Sequence, residues 1–269
     1  MKKILLLLIS LFSIMLLFAL WHSFQNQSTQ KRDTSTSTKV VATSLNKPTP
    51  TKSLLQRLRS SPSKQIIYAP FGDSLSVGLF SDKKTSRFTS LFAETLQKRL
   101  GKPVIEKGTS QVGKMASNFG LQQVDTIIQQ HPNLITVEFG TNDAAGGDSL
   151  KAINNFSSAM DLILKKLTTK TNAEIILLTT WSNNGGKHAS ADKHFDDIIY
   201  QLGKKYKLPV ADLSSIWDGN NDMTGPYESY LKDFKNWGPR DNFHPNQLGH
   251  VKIAQLLNKQ LDKSTNKDI

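Results

Sequence analysis

The sequence predicts an α/β fold: a parallel sheet with helices on both faces. Three observations point to it. From Gln65 onward, short apolar runs without polar alternation recur along the chain, as strands buried on both faces require. Longer segments between them place apolar residues at helical spacing. The residues able to do chemistry fall just after the strands, where parallel sheets bind ligands.

The elements follow in order. Gln65–Pro70 reads as a strand and Arg87–Leu100 as a helix stopped by Gly101. Pro103–Ile105 is a short strand, and Gly120–Gln130 is helical. Leu134–Phe139 is a strand followed by a helix over Leu150–Leu167. Ile175–Thr180 is a strand, Ala191–Tyr206 a helix and Leu208–Asp212 the fifth strand. Pro245–Leu261 forms the last helix, with proline at its start.

The chain has 269 residues, 38% of them hydrophobic, enough for a real core. The absence of cysteine excludes a disulfide scaffold, a thiolate zinc site, a cysteine nucleophile and a lipid-modified N-terminal cysteine. The net charge of +12 is uneven: residues 24–64 hold eight Lys/Arg against one acid. A basic tail without aromatic or helical readout elements argues against nucleic acid and for an anionic surface.

Three segments follow. Residues 1–23 contain the uncharged apolar run Ile4–Trp21, 18 residues long, read as a membrane anchor or a signal peptide. Its length favours an anchor, and Leu20 and Trp21 after Ala19 make a poor cleavage site. Either reading puts the remainder outside the cell, held at the membrane or secreted. Residues 24–64, rich in Ser, Thr, Lys and Pro, read as a flexible tether in which Leu54–Arg59 has the pattern of one helical turn. The folded domain is expected over 65–269.

Gly72-Asp73-Ser74-Leu75 follows the first strand, where a tight turn exposes Ser74 as a nucleophile at a helix start. Gly140-Thr141-Asn142-Asp143 follows the third, where the Asn142 amide suits a developing oxyanion. Asp241 and His244 lie three apart before the last helix, so the carboxylate can orient an imidazole that takes the Ser74 proton. Asp73 and Asp143 read as loop and cap carboxylates. His131, His188 and His194 lie in surface-like contexts, and His250 is expected at the solvent or core edge. No His and carboxylate spacing suits a metal, and no cofactor is implied.

These three blocks resemble those of the SGNH (GDSL) hydrolases, over about Ile66 to Leu261. The resemblance implies a flavodoxin-like three-layer α/β/α sandwich with a five-stranded parallel sheet. It also implies a triad of Ser74, His244 and Asp241, with Ser74, Asn142 and a glycine in the oxyanion hole. The family's second block departs here. In Glu106–Gly113 the oxyanion glycine is Gly113, 29 residues before Asn142, or else Gly108.

Specificity is expected from the loops. Trp181–His188 offers Trp181 and Asn183 as substrate contacts, and Ser214–Arg240 carries Trp217, Tyr227, Tyr230, Phe234 and Trp237. The resulting expectation is a serine esterase acting on a small-molecule or glycan ester, with a short acyl group such as acetyl. The alternatives are a lipase or lysophospholipase of the same fold, a glycan O-acetyltransferase, and a glycan-binding protein with a vestigial site.

Overall fold

The computed structural model describes residues 52–182 and 189–264. The expected segment 1–23, Asn183 and most of the tether lie outside those residues. Among the described residues no helix is long and apolar enough to cross a membrane.

The sheet is all parallel. Strand β1 (Ile66–Gly72) pairs on one side with β2 (Val104–Glu106) and β3 (Thr109–Ser110) and on the other with β4 (Leu134–Glu138). Strands β5 (Glu174–Leu178) and β6 (Val210–Ala211) complete the order β2-β1-β4-β5-β6. The five expected strands are present. The sixth, β3, continues the β2 edge further along β1: β2 pairs with Ile66–Tyr68 and β3 with Phe71–Gly72. Between them Gly108 passes so close to β1 that a Cβ would lie 2.0 Å from the Pro70 carbonyl oxygen. The chain moves from β1 to one edge and then returns to the other side of β1. The loops leaving β1 and β4 therefore flank a topological switch point, where such sheets bind ligands.

Nine helices are described: α1 (Leu54–Ser60), α2 (Ser74–Val77), α3 (Phe88–Leu100), α4 (Leu121–Gln129), α5 (Thr141–Ala144), α6 (Leu150–Lys170), α7 (Ala189–Tyr206), α8 (Ser214–Trp217) and α9 (Gln247–Gln260). Successive strand residues face opposite sides, and the core divides accordingly. Ile135, Val137, Ile175 and Leu177 face α4, α6 and α7, packing with Val124, Phe156, Ile163, Phe195 and Ile199. Leu134, Ile176 and Leu178 face α1, α3 and α9, packing with Leu54, Phe88, Phe92, Leu96, Ile253 and Leu257. This is the expected three-layer sandwich.

One boundary differs from the sequence reading. The tether does not run to residue 64, because α1 is docked on the fold. Ser53 caps it, its Oγ accepting from the Gln56 N–H. Leu54, Leu55 and Leu58 are buried. The Arg57 guanidinium meets the Glu174 carboxylate at 2.8 and 2.9 Å, and the Leu55 N–H donates to the Leu261 carbonyl at 2.8 Å. The apolar face is only three leucines long, too short for composition to distinguish it from the polar segment before it. Leu54→Ala should cost about 2–5 kcal/mol and lower the urea unfolding midpoint. An unchanged midpoint would mean that α1 lies outside the cooperative unit.

Candidate active site

Strand β1 ends at Gly72, a position where no side chain fits. A Cβ would stand 2.5 Å from the Glu138 carbonyl oxygen, from Glu138 Oε2 and from Ser76 Oγ. The chain then turns at Asp73, which caps α2: its Oδ1 accepts from the Leu75 N–H at 3.0 Å. Ser74 is the first residue of that helix. The turn is supported from β4 by Glu138, whose Oε2 accepts from the Asp73 N–H at 3.1 Å, the Ser76 N–H at 3.2 Å and Ser76 Oγ at 2.9 Å.

The segment before α9 faces this turn. Asp241 Oδ1 accepts from the backbone N–H groups of Phe243 (3.0 Å) and His244 (2.7 Å), which curls the loop tightly. Its Oδ2 lies 2.7 Å from His244 Nδ1. His244 Nε2 lies 3.0 Å from Ser74 Oγ, although the two residues are 170 apart in sequence. Asp73 Oδ1 is a second acceptor near the hydroxyl at 3.4 Å, so the imidazole is the closer partner. Phe80 and Phe243 meet the His244 ring edge to face, with centroids at 5.6 and 5.2 Å. Burial opposes ionisation of Asp241, but the hydrogen bond and charge of His244 outweigh it, aided by the two backbone donors. The carboxyl is held below the usual range.

Asn142 lies in α5, directly after β4, and its Nδ2 donates to Asp73 Oδ2 at 2.7 Å. Asp143 Oδ2 accepts from the Ala116 N–H at 3.2 Å, tying the loop that carries Gly113 to α5. Gly113 lies in that exposed loop beyond the end of β3, on the same side of the sheet as the Ser74 turn. Gly108 lies back along β1 beside Pro70, where close strand packing accounts for it. Burial raises the Asp143 pKa to about 6. Burial likewise pushes Asp73 up, against hydrogen bonds from Leu75 and Asn142 and the nearby charge of His244. Glu138 is pushed well above the carboxylate range, by burial first and by the Asp73 charge second.

Residues 71–252 match the family model described as GDSL-like lipase/acylhydrolase. The chain belongs to that family. It is a serine ester hydrolase of the SGNH kind. No curated protein matches it. Among solved structures it resembles the psychrotrophic esterase EstA from Pseudoalteromonas sp., with 16% identity over 74% of this chain and 97% of that one and a TM-score of 0.56. A two-domain esterase active on acetylated mannans gives 20% identity over 80% of this chain and 53% of that one, with a TM-score of 0.61. The acetyl xylan esterase AlAXEase gives 19% identity over 72% and 98%, with a TM-score of 0.56. At these identities the likeness is one of fold.

Two expectations for this GDSL-family site are corrected. Trp181 is 0% exposed, so it is not a surface contact. Its indole N–H donates to the Phe243 carbonyl at 2.7 Å, and its backbone N–H donates to Thr141 Oγ1 at 3.0 Å. It therefore braces the His244 loop from beneath. A large apolar ring ending in one N–H suits such a buried bracing position. His250, expected at the solvent or core edge, is fully buried, accepting from the Phe88 N–H at Nδ1 (3.4 Å), with Nε2 3.2 Å from the Leu79 carbonyl. It joins α9 to the segment that follows the Ser74 helix. The sequence reading also passed over Glu138. A lone carboxyl ending an apolar strand, immediately before the Gly140–Asp143 block, was the available signal.

Burial lowers the His250 pKa from its ordinary 6.5 to about 4, while the Leu79 carbonyl works in the opposite sense. The unfolded chain therefore takes up the proton first as pH falls. The stabilisation is complete above pH 6.5 and is lost on descent towards pH 4. The melting temperature should drop more steeply across that window for the native chain than for His250→Gln. Equal slopes would remove His250 as the cause.

Proposed function

We propose that this GDSL-family protein is an esterase in which Ser74, His244 and Asp241 form the catalytic triad, acting on short acyl esters of glycans. The observation that carries the triad is the continuous hydrogen-bonded line from Asp241 Oδ2 through both His244 nitrogens to Ser74 Oγ, at 2.7 and 3.0 Å. Asp241 fixes the tautomer with hydrogen on Nδ1 and leaves Nε2 to accept the serine proton. Ser74 Oγ attacks the ester carbonyl carbon. The Ser74 and Gly113 N–H groups and the free Asn142 amide hydrogen receive the oxyanion. The imidazolium then protonates the leaving alkoxide, and a water activated by the same nitrogen releases the acid.

Several features support a glycan. The structural relatives include an esterase active on acetylated mannans and an acetyl xylan esterase. The segment before Asp241 exposes Tyr227, Tyr230 and Trp237 at 60, 71 and 55%. That segment is docked beside the triad: Phe234 packs on Phe80, whose other edge meets His244, and Arg240 bonds Asp82 and the Phe80 carbonyl. Exposed aromatic faces suit the apolar faces of sugar rings. The apolar run Ile4–Trp21 and the basic segment after it support an enzyme held at the outer surface.

Hydrolysis of p-nitrophenyl esters from acetyl to palmitoyl tests the acyl reading. Turnover should be highest on acetyl and fall with chain length, whereas a long-chain preference would indicate a lipid substrate. Ser74→Ala should lower kcat by about 10⁴–10⁶-fold, and retention of activity would end the triad reading. Asn142→Ala should lower kcat by about 10²–10³-fold. Trp237→Ala should raise KM for an acetylated oligosaccharide by about 2–10-fold, with a smaller change on p-nitrophenyl acetate. An equal change on both would argue against a sugar contact.

A further inference from the structure

Glu138 is a carboxyl that the triad chemistry does not use. It ends β4, is 1% exposed, and reaches into the turn that carries Ser74. Its three donors are Asp73 N–H, Ser76 N–H and Ser76 Oγ, so it grips the chain on both sides of the nucleophile. Burial and the adjacent Asp73 charge both favour the neutral form of Glu138.

The bonds continue outward from Asp73. One of its oxygens holds the Leu75 N–H and the other holds Asn142 Nδ2 at 2.7 Å. An amide nitrogen has two hydrogens. With one held by Asp73, the direction of the second is set. A line of contacts thus runs from Glu138 through Asp73 to the group proposed to meet the oxyanion. Glu138 touches neither the substrate position nor the reacting atoms.

We propose that Glu138 is a positioning residue that clamps the turn around Ser74 and, through Asp73, aims the Asn142 amide at the oxyanion. This inference rests on the serine esterase reading above. It commits to three results that a merely structural carboxyl would not produce. Glu138→Ala lowers kcat on p-nitrophenyl acetate by about 10–10²-fold, counted per active site titrated with a phosphonate, with KM nearly unchanged. Glu138→Gln restores most of that loss. Its carbonyl can accept the same three donors. In an Asn142→Ala background the Glu138→Ala change costs less than about threefold, because the group it aims is already gone.

Circular dichroism and thermal melts establish that each variant is folded. Should Glu138→Ala not fold, Glu138→Met takes its place, filling similar volume without accepting a hydrogen bond. The proposal is overturned if the apolar variant keeps native kcat. It is equally overturned if Glu138→Gln is as impaired as the apolar variant, which would require an ionised carboxylate. Fully multiplicative losses with Asn142→Ala would also end it. Failure of the underlying reading looks different: Ser74→Ala would then remain active, whatever the Glu138 variants do.

Discussion

The site depends on how closely the carboxyl ends of β1 and β4 approach one another. Gly72 pairs in register with Glu138, and there is no space between them for even a methyl group. That contact forces the chain to turn at once, which puts Ser74 at the start of a short helix beside Asn142. The same contact buries two carboxyls, a costly arrangement unless every oxygen finds a donor. The donors come from the turn itself and from the Asn142 amide. The groups that neutralise this cost also hold Ser74 and Asn142 in place.

The remaining half of the machinery arrives from far along the chain. The His244 loop is shaped locally by Asp241, which gathers two backbone N–H groups and one ring nitrogen. Its location is set by tertiary contacts. Trp181 holds the Phe243 carbonyl, His250 secures the start of α9 to Leu79 and Phe88, and Phe80 packs against the imidazole edge. The segment preceding Asp241 is pinned to the residues that follow α2 through Arg240 and Phe234. Each partner of the Ser74–His244 contact is thus braced by other side chains. That is how a defined geometry survives on loops, which are otherwise the most mobile parts of a fold.

The esterase chemistry and the glycan reading rest on different parts of the molecule. The first rests on groups seated at the switch point of the sheet, where the fold itself enforces their spacing. The second rests on the variable segment before Asp241, whose exposed rings face outward while Phe234 anchors it inward. A fold of this kind keeps its reaction and changes its substrate by altering such segments.

The sequence by itself determined the alternation of strands and helices and the three blocks that bear Ser74, Asn142 and the Asp241–His244 pair. Those features are local: an apolar run, a glycine turn and a three-residue spacing are written in consecutive residues. Tertiary structure decided the rest. Leu54–Ser60 reads as part of a polar tether until the faces of α3 and α9 provide a surface for its three leucines. Trp181 reads as a loop aromatic until the carbonyl of Phe243, 62 residues away, takes its N–H. Glu138 reads as the end of a strand until Asp73 and Ser76 close around it. Gly108 reads as one more loop glycine until β1 passes so close that no side chain fits beside Pro70. In each case the deciding quantity is which groups are excluded from water together, and that is fixed by residues distant in the chain.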